Sequence, residues 1–346
     1  MTDRPHPRRA DQIRKQSANA ASKVILAALR PLIALAFVQW CASVPAQSYP
    51  AKPLHIIANT PPGGPVDLVA RLTAQKLAEI FGRPVVVENR PGAGGTIGAD
   101  YVAKSQPDGY TLLLASPASL CIAPALYPKL PYDPLKDFAP ISIAAIASFM
   151  LVVHPSLPVN SVRNLVALAR AKPGQLNYAS AGNGTFTHLA MDLFKSMAKI
   201  EVVHVPYKGA APAIIDLMTG QVQMMVNSAA TAQPHLKSGK LRGLAVTGAR
   251  RSAFMPELPT MSEAGVAGYD ANNWYGVVAR AGTPREIVAS LNAAIGKSLN
   301  TAEMKQKLLA QGLEPMVTTP DNFAQIIRDE VPKWAKVVKD SGATLD

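Results

Sequence analysis

From residue 54 onward, short apolar runs alternate with longer segments whose apolar residues recur every three or four positions. The runs at 54–58, 85–88, 111–114, 150–153, 202–205, 222–226, 241–246 and 274–278 have the length and composition of buried strands. Between them, Val162, Leu165, Val166 and Ala169 share one helical face behind a capping Ser161. Ala190, Leu193, Phe194 and Met197 repeat the spacing, as do Ala211, Ile214, Ile215 and Met218 before Gly220. Phe323, Ile326, Ile327, Trp334 and Val338 form a last stripe, with a bend or break expected at Pro332. Strands alternating with amphipathic helices predict an α/β fold with parallel-rich sheets. These stripes, and Met224–Met225 with them, are read as core.

Proline marks two seams. Residues 127–140 hold four prolines and read as a long connection before the strand at 150. A second irregular stretch, 254–269, carries Pro256, Pro259, Gly265 and Gly268. The alternation between the seams is self-sufficient, so the simplest layout inserts a middle domain, 149–271, between two halves of another, 47–148 and 272–346. Two connections then cross between lobes and form a hinge.

The beginning of the chain changes the charge arithmetic. Residues 1–23 are polar and basic, 24–44 are largely apolar, and Val44-Pro45-Ala46 supplies small residues before a cleavage site after Ala46, the signature of a cleaved export signal over 1–46. Arg30 and Pro31 interrupt the apolar run, which is too broken for a membrane span. Of the 35 basic and 23 acidic residues, seven and two lie in this leader, so the formal charge of +12 falls to +7. No Lys/Arg block of the kind that binds nucleic acid is present. Charged residues at 17% and hydrophobic ones at 48% exclude general disorder. Cys121 is left without a partner after cleavage and reads as a buried thiol in Leu120-Cys121-Ile122.

The catalytic inventory is thin. Histidines 55, 154, 188, 204 and 235 make no metal-binding spacing, and neither a G-x-S-x-G elbow nor a P-loop exists. His188, near a helix start, reads as cap-supporting. Gly92-Ala93-Gly94-Gly95-Thr96-Ile97-Gly98 superficially resembles a dinucleotide fingerprint, but Asn89-Arg90-Pro91 kinks the chain before it. Glycines that let a helix approach a strand closely are the better reading. No metal and no cofactor are expected.

Three loops end strands and open helices, where free N–H groups and the helix dipole favour an anion. The first contains Pro62, Gly63 and Gly64, with Asp67 expected to cap the following helix. The second runs through Ser180, Ala181, Gly184 and Thr185, and the third through Tyr207, Lys208 and Gly209. Ser116 and Asn227 end two further strands. Ligands in open α/β sheets bind outside the carboxyl ends of strands, so these loops are expected to converge on one cleft.

Several of these segments resemble the Bug family, the periplasmic solute-binding proteins of tripartite tricarboxylate transporters. Pro61-Pro62-Gly63-Gly64-Pro65-Val66-Asp67, Val87-Glu88-Asn89-Arg90-Pro91-Gly92-Ala93-Gly94-Gly95 and Pro107-Asp108-Gly109-Tyr110-Thr111 carry the likeness in the first half. Ser180-Ala181-Gly182-Asn183-Gly184, His204-Val205-Pro206-Tyr207-Lys208-Gly209, Leu258-Pro259-Thr260 and Ala281-Gly282-Thr283-Pro284 extend it in order. The resemblance implies a two-lobed periplasmic-binding-protein fold with a ligand cleft between the lobes. It implies a non-enzymatic receptor in the periplasm, a monomer that takes a small organic carboxylate and hands it to membrane transporter subunits. A module that presents its ligand to a membrane sensor and an exported enzyme on the same fold are the alternatives. The family's first loop, matched here by 60–66, contacts one carboxylate through backbone groups and ordered water, while Ser180–Thr185 and Tyr207–Gly209 match the loops on the other side. Where members often carry Asp near the end of a strand, this chain has Asn227, which implies a bias away from amine-bearing ligands.

Overall fold

The computed structural model describes residues 49–344, so the leader reading and Cys41 lie outside the described residues. Eleven strands are described there: β1 (Leu54–Ala58), β2 (Val85–Asn89), β3 (Thr111–Ala115), β4 (Phe138–Ala147), β5 (Phe149–Val153), β6 (Asn177–Ser180), β7 (Val203–Pro206), β8 (Met224–Ser228), β9 (Arg242–Val246), β10 (Asn273–Arg280) and β11 (Leu313–Pro315). They form a six-stranded sheet, β11-β4-β10-β3-β1-β2, and a five-stranded sheet, β7-β6-β8-β5-β9. The fold is therefore α/β with two lobes, one around each sheet. Among strand pairs, parallel pairing joins β1 to β2 and β3, and β6 to β7 and β8. The strands next to the crossings, β4, β5 and β10, pair antiparallel.

Three strands were not expected from the sequence. β4 contains Pro140 and lies partly in the stretch read as a connection. Proline is tolerated there because β11 pairs only with Ala145–Ala147, which leaves the other edge of β4 open at Pro140. β6 is four residues long and mostly polar, and β11 is three residues ending in proline. The C-terminal helix also departs from expectation. It runs unbroken from Pro320 to Ser341 through Pro332, whose ring lies on the exposed face, where the carbonyl it deprives of a donor can meet water.

That helix packs against β4 and against the helix Phe186–Ala198 of the other lobe. The Trp334 and Phe186 rings stand edge to face at 5.9 Å, and Phe323 meets Trp274 at 5.0 Å. Gly276 makes room for the latter pair, since a Cβ there would fall 2.3 Å from the Phe323 ring. One apolar core consequently includes Leu113 and Ile143 of the first sheet, Tyr178 and Met224 of the second, and Trp334 between them. A second core, holding Met150, Val152 and Met225, lies under the helices Ala210–Met218 and Ala229–Lys237. Met224 and Met225 thus face opposite sides of β8, both fully buried. Cys121 is buried and free, as expected.

Register fixes where the lobes meet. Ala58 pairs with Asn89 and Leu114, so β1, β2 and β3 end together. Ala115 faces Gly276, and Asn273 faces Ala147, so that end of the sheet is where the chain leaves and re-enters it. In the second sheet, Phe149 at the start of β5 faces Ser228 at the end of β8, and β6 and β7 run parallel to β8. Both sets of parallel strands therefore end at the interlobe junction.

Candidate functional site

The first loop leaves β1 at Asn59 and enters the helix Pro65–Phe81 through Gly63, whose φ of 86° suits glycine, and Gly64 at the N-cap. Asp67 does not cap its own helix. From the third helical position it reaches back to accept the Gly63 N–H at 3.0 Å, while Arg71 and Asn89 donate to it at 2.9 and 2.8 Å. The hydrogen bond from Arg71, opposed by partial burial, holds the Asp67 carboxyl down at about 2. Asn89 also donates to the Thr60 carbonyl at 3.1 Å, so the loop is braced at both ends. No side chain caps this helix, and with proline at its first position the first-turn donors are the Val66 and Asp67 N–H groups.

Beside this loop, Gly95 and Gly98 pack against Asn59, and a Cβ on Gly98 would lie 2.8 Å from the Asn59 Cβ. The glycine-rich segment therefore serves close packing. Asn59 Oδ1 and Thr60 Oγ1 are buried without a hydrogen-bond partner, two polar atoms that no sequence signal singles out. Ser116 follows β3, next to β1, and is 8% exposed.

In the second lobe the structure brings two predicted loops together, for Tyr207 N–H donates to the Ser180 carbonyl at 3.1 Å and Gly209 N–H to the Ala181 carbonyl at 3.0 Å. Several hydrogen-bonding groups of the 180–185 loop are committed within the second lobe. Ser180 Oγ accepts from Gly182 N–H and lies 2.6 Å from His204 Nε2. Ala181 N–H donates to Thr187 Oγ1, and Gly184 N–H donates to His188 Nδ1 at 3.1 Å. Thr185 Oγ1 donates to the Gly182 carbonyl and caps the helix Phe186–Ala198 at His188 N–H. Ser180, Ala181, Gly184 and Thr185 thus shape the loop wall.

Behind that wall stands a partly buried stack the sequence did not suggest. His188 and His204 lie in parallel at 3.9 Å, and Tyr178 covers His204 at 4.8 Å. Burial, reinforced by His188, pushes His204 down to about 4. His188 Nε2 lies 2.9 Å from Asp192 Oδ2. Burial raises Asp192, yet His188 and Tyr178 together outweigh it and hold it at about 2. His188 is cap-supporting, as its position near a helix start predicts. No sequence signal links it to His204, which is sixteen residues away on β7.

The third loop is less committed. Tyr207 donates its hydroxyl to Asp216 at 2.7 Å, and burial with that acceptor raises the phenol to about 12. Lys208 is exposed and makes no ion pair among the described residues. Gly209, at φ 113°, opens the helix Ala210–Met218 with no side-chain cap. Asn227, 2% exposed, accepts the Ser228 N–H at 2.8 Å, and its Nδ2 has no partner.

None of these residues lines a cavity of about 660 Å³ at the β9 and β11 edges, whose wall includes Phe149, Arg250, Asn272 and Met316. There Glu314 accepts from Ser148 at 2.5 Å and from Ser252, fastening β11 to the first interlobe crossing and to the segment that follows β9. Among the described residues no cluster of His, Cys, Asp or Glu could hold a metal, and no helix is long and apolar enough to cross a membrane.

Residues 69–343 match the pattern of the tripartite tricarboxylate transporter family receptor. Protein BugT of Bordetella pertussis is 39% identical over 93% of this chain and 98% of its own length. The structure of Rpa4515 from R. palustris with adipate is 38% identical, with a TM-score of 0.70 over 86% of this chain and 99% of that one. MatC from Rhodopseudomonas palustris, with bound malate, is 32% identical, with a TM-score of 0.66 over 84% of this chain and 100% of the other.

Proposed function

The chain belongs to the tripartite tricarboxylate transporter receptor family, and from that footing we propose that it binds a small organic carboxylate between its lobes and delivers it to a tripartite tricarboxylate transporter. In this reading the lobes are 47–148 with 272–346, and 149–271. The protein is exported behind a leader cleaved after Ala46, works in the periplasm as a monomer, and binds its ligand without turning it over.

One observation carries the reading. Two helices with no side-chain cap, Pro65–Phe81 and Ala210–Met218, start one in each lobe from loops that leave strand ends at the interlobe junction. Each offers backbone N–H donors and the positive end of a helix dipole, and an anion spanning the junction would engage both. Closure around it would exclude water and strengthen those bonds. Gly63, Gly64, Tyr207, Lys208 and Gly209 are the proposed contacts, with Ser116 and Asn227 beside them, Pro62 stiffening the first loop, and Ser180, Ala181, Gly184 and Thr185 forming the wall. The adipate and malate held by the two similar proteins are acids of this class.

The test is a thermal-shift screen of the purified protein, unfolded and refolded to strip any carried ligand, against a panel of carboxylates. A ligand at about 100 times its Kd adds roughly 2.7 kcal/mol to the folded state, a rise of several degrees for a protein of this size. A response confined to nucleotides or neutral solutes, or turnover of a bound acid, would overturn the reading.

A further inference from the structure

Asn227 is the buried polar group at the junction whose chemistry is most sharply defined. Its two amide atoms are not interchangeable, because the Ser228 backbone N–H can be satisfied only by the oxygen, which it reaches at 2.8 Å. The amide is thereby oriented with Nδ2 pointing away from that bond, and Nδ2 is buried with no acceptor. A buried donor left unpaired costs free energy that a ligand acceptor would recover.

The surroundings identify that acceptor. Side chains alternate along a strand, and Met225 packs in the core under the helix Ala210–Met218, so Asn227 shares that face. The helix packs on β6 and β8 and begins at the end of the sheet where Asn227 lies, with Gly209 anchored to the Ala181 carbonyl. Its first turn has no side-chain cap. Of the carboxylates on neighbouring elements, Asp216 accepts the Tyr207 hydroxyl, and Glu314 accepts Ser148 and Ser252.

We propose that Asn227 Nδ2 and the open first turn of Ala210–Met218 form a half-site for a ligand carboxylate that selects against a ligand ammonium, so that the receptor takes dicarboxylates lacking an amino group. This rests on the receptor reading above. An ammonium placed there would face N–H groups alone, with its own protons unpaired, and discrimination follows from the donors left facing it.

Isothermal titration with succinate, glutarate and adipate, each against the acid that adds one amino group (aspartate, glutamate, 2-aminoadipate), tests it. The unsubstituted acid of at least one pair is expected to bind at least tenfold tighter to the wild-type protein. Asn227→Asp keeps the oxygen that serves Ser228 and replaces the donor with a carboxylate oxygen, and should reduce that ratio at least tenfold. Asn227→Ala, which removes the donor without adding charge, should weaken the unsubstituted acid about tenfold. Wild-type affinities within threefold across every pair that binds, or a ratio unmoved by Asn227→Asp, would overturn the half-site while leaving the receptor reading intact. Failure of all six acids and of the wider carboxylate panel to bind would overturn both.

Discussion

His188 and His204 lie face to face, 3.9 Å apart and 8° from parallel, and between them they grip both ends of the 180–185 loop. His204 holds Ser180, and His188 accepts from Gly184. Two imidazoles so close cannot both carry charge cheaply, and burial keeps His204 from taking up a proton until about 4. The wall of the junction therefore rests on a neutral His204.

Stability should fall on mild acidification for this reason. With His204 held at about 4 and an unfolded histidine near 6.5, the unfolded chain takes up a proton that the folded one refuses between those values. Its contribution is complete above about pH 6.5 and is lost progressively as pH falls towards 4. The carboxylates Asp67 and Asp192, both held at about 2, act below that window. Urea denaturation of the wild type and of His204→Phe at pH 8 to 4 checks it, since the variant should lose part of the slope. Parallel pH profiles would refute the assignment.

Glu330 predicts the opposite trend. It is 5% exposed and accepts from Trp274 Nε1 at 3.0 Å and Lys333 Nζ at 3.3 Å. Burial raises its pKa despite those donors. A raised acid favours the folded state below its unfolded value, and that advantage is lost as pH rises through the folded one. Glu330→Gln keeps an acceptor for Trp274 and removes the charge, so its melting temperature should gain on the wild type as pH rises from 4 to 8.

The brace at Asp67 should matter for binding as well as folding. Asp67→Ala removes the acceptor of Gly63 N–H and the partner of Arg71 and Asn89. A loss of about 1–3 kcal/mol is expected for a buried charged acceptor, together with weaker affinity for whichever acid the wild type binds. Asp67→Asn preserves one acceptor and should lose less in both measurements. Equal affinity in all three proteins would show that the loop needs no brace.

Gly98→Ala is expected to be costly although its backbone demands no glycine. The added methyl carbon would sit 2.8 Å from Asn59 Cβ and 3.0 Å from the Arg90 carbonyl, and a backbone oxygen cannot rotate away. Overpacking of this kind costs about 1–3 kcal/mol. Gly82→Ala, with nothing within 4 Å of its Cβ, is the control for backbone strain alone at its φ of 63°. A Gly98→Ala protein melting at the wild-type temperature would discount the close approach.

Periodicity carried much of this fold. β1, β3 and β5 are plain apolar runs, and Ser161 accepts from Asn164 N–H at the start of its helix as its position suggests. The same reasoning missed β6, because Asn177-Tyr178-Ala179-Ser180 has too few apolar positions to show a period, and β4, because Pro140 outweighed the alanines after it. The loops of the site were legible because a strand end followed by glycine is a local signal. Which of their groups remain free was not. Ser180 and Thr185 look like donors on paper, and only the folded chain shows them spent on Gly182 and His204. Asn227 is the reverse case, a polar residue closing an apolar strand whose free proton becomes apparent once Ser228 has claimed its oxygen.

The C-terminal helix has a mechanical consequence. It is a rod of 22 residues, about 33 Å long at the usual rise, resting at once on β4 and on the helix Phe186–Ala198. A molecule joined only by its crossings would swing like a gate. With this rod clamped across both halves, any swing must drag Trp334 over Phe186, and meshed side chains slide only in small steps. Relative motion of the lobes is therefore expected to be a short stroke along this meshed contact rather than a wide swing.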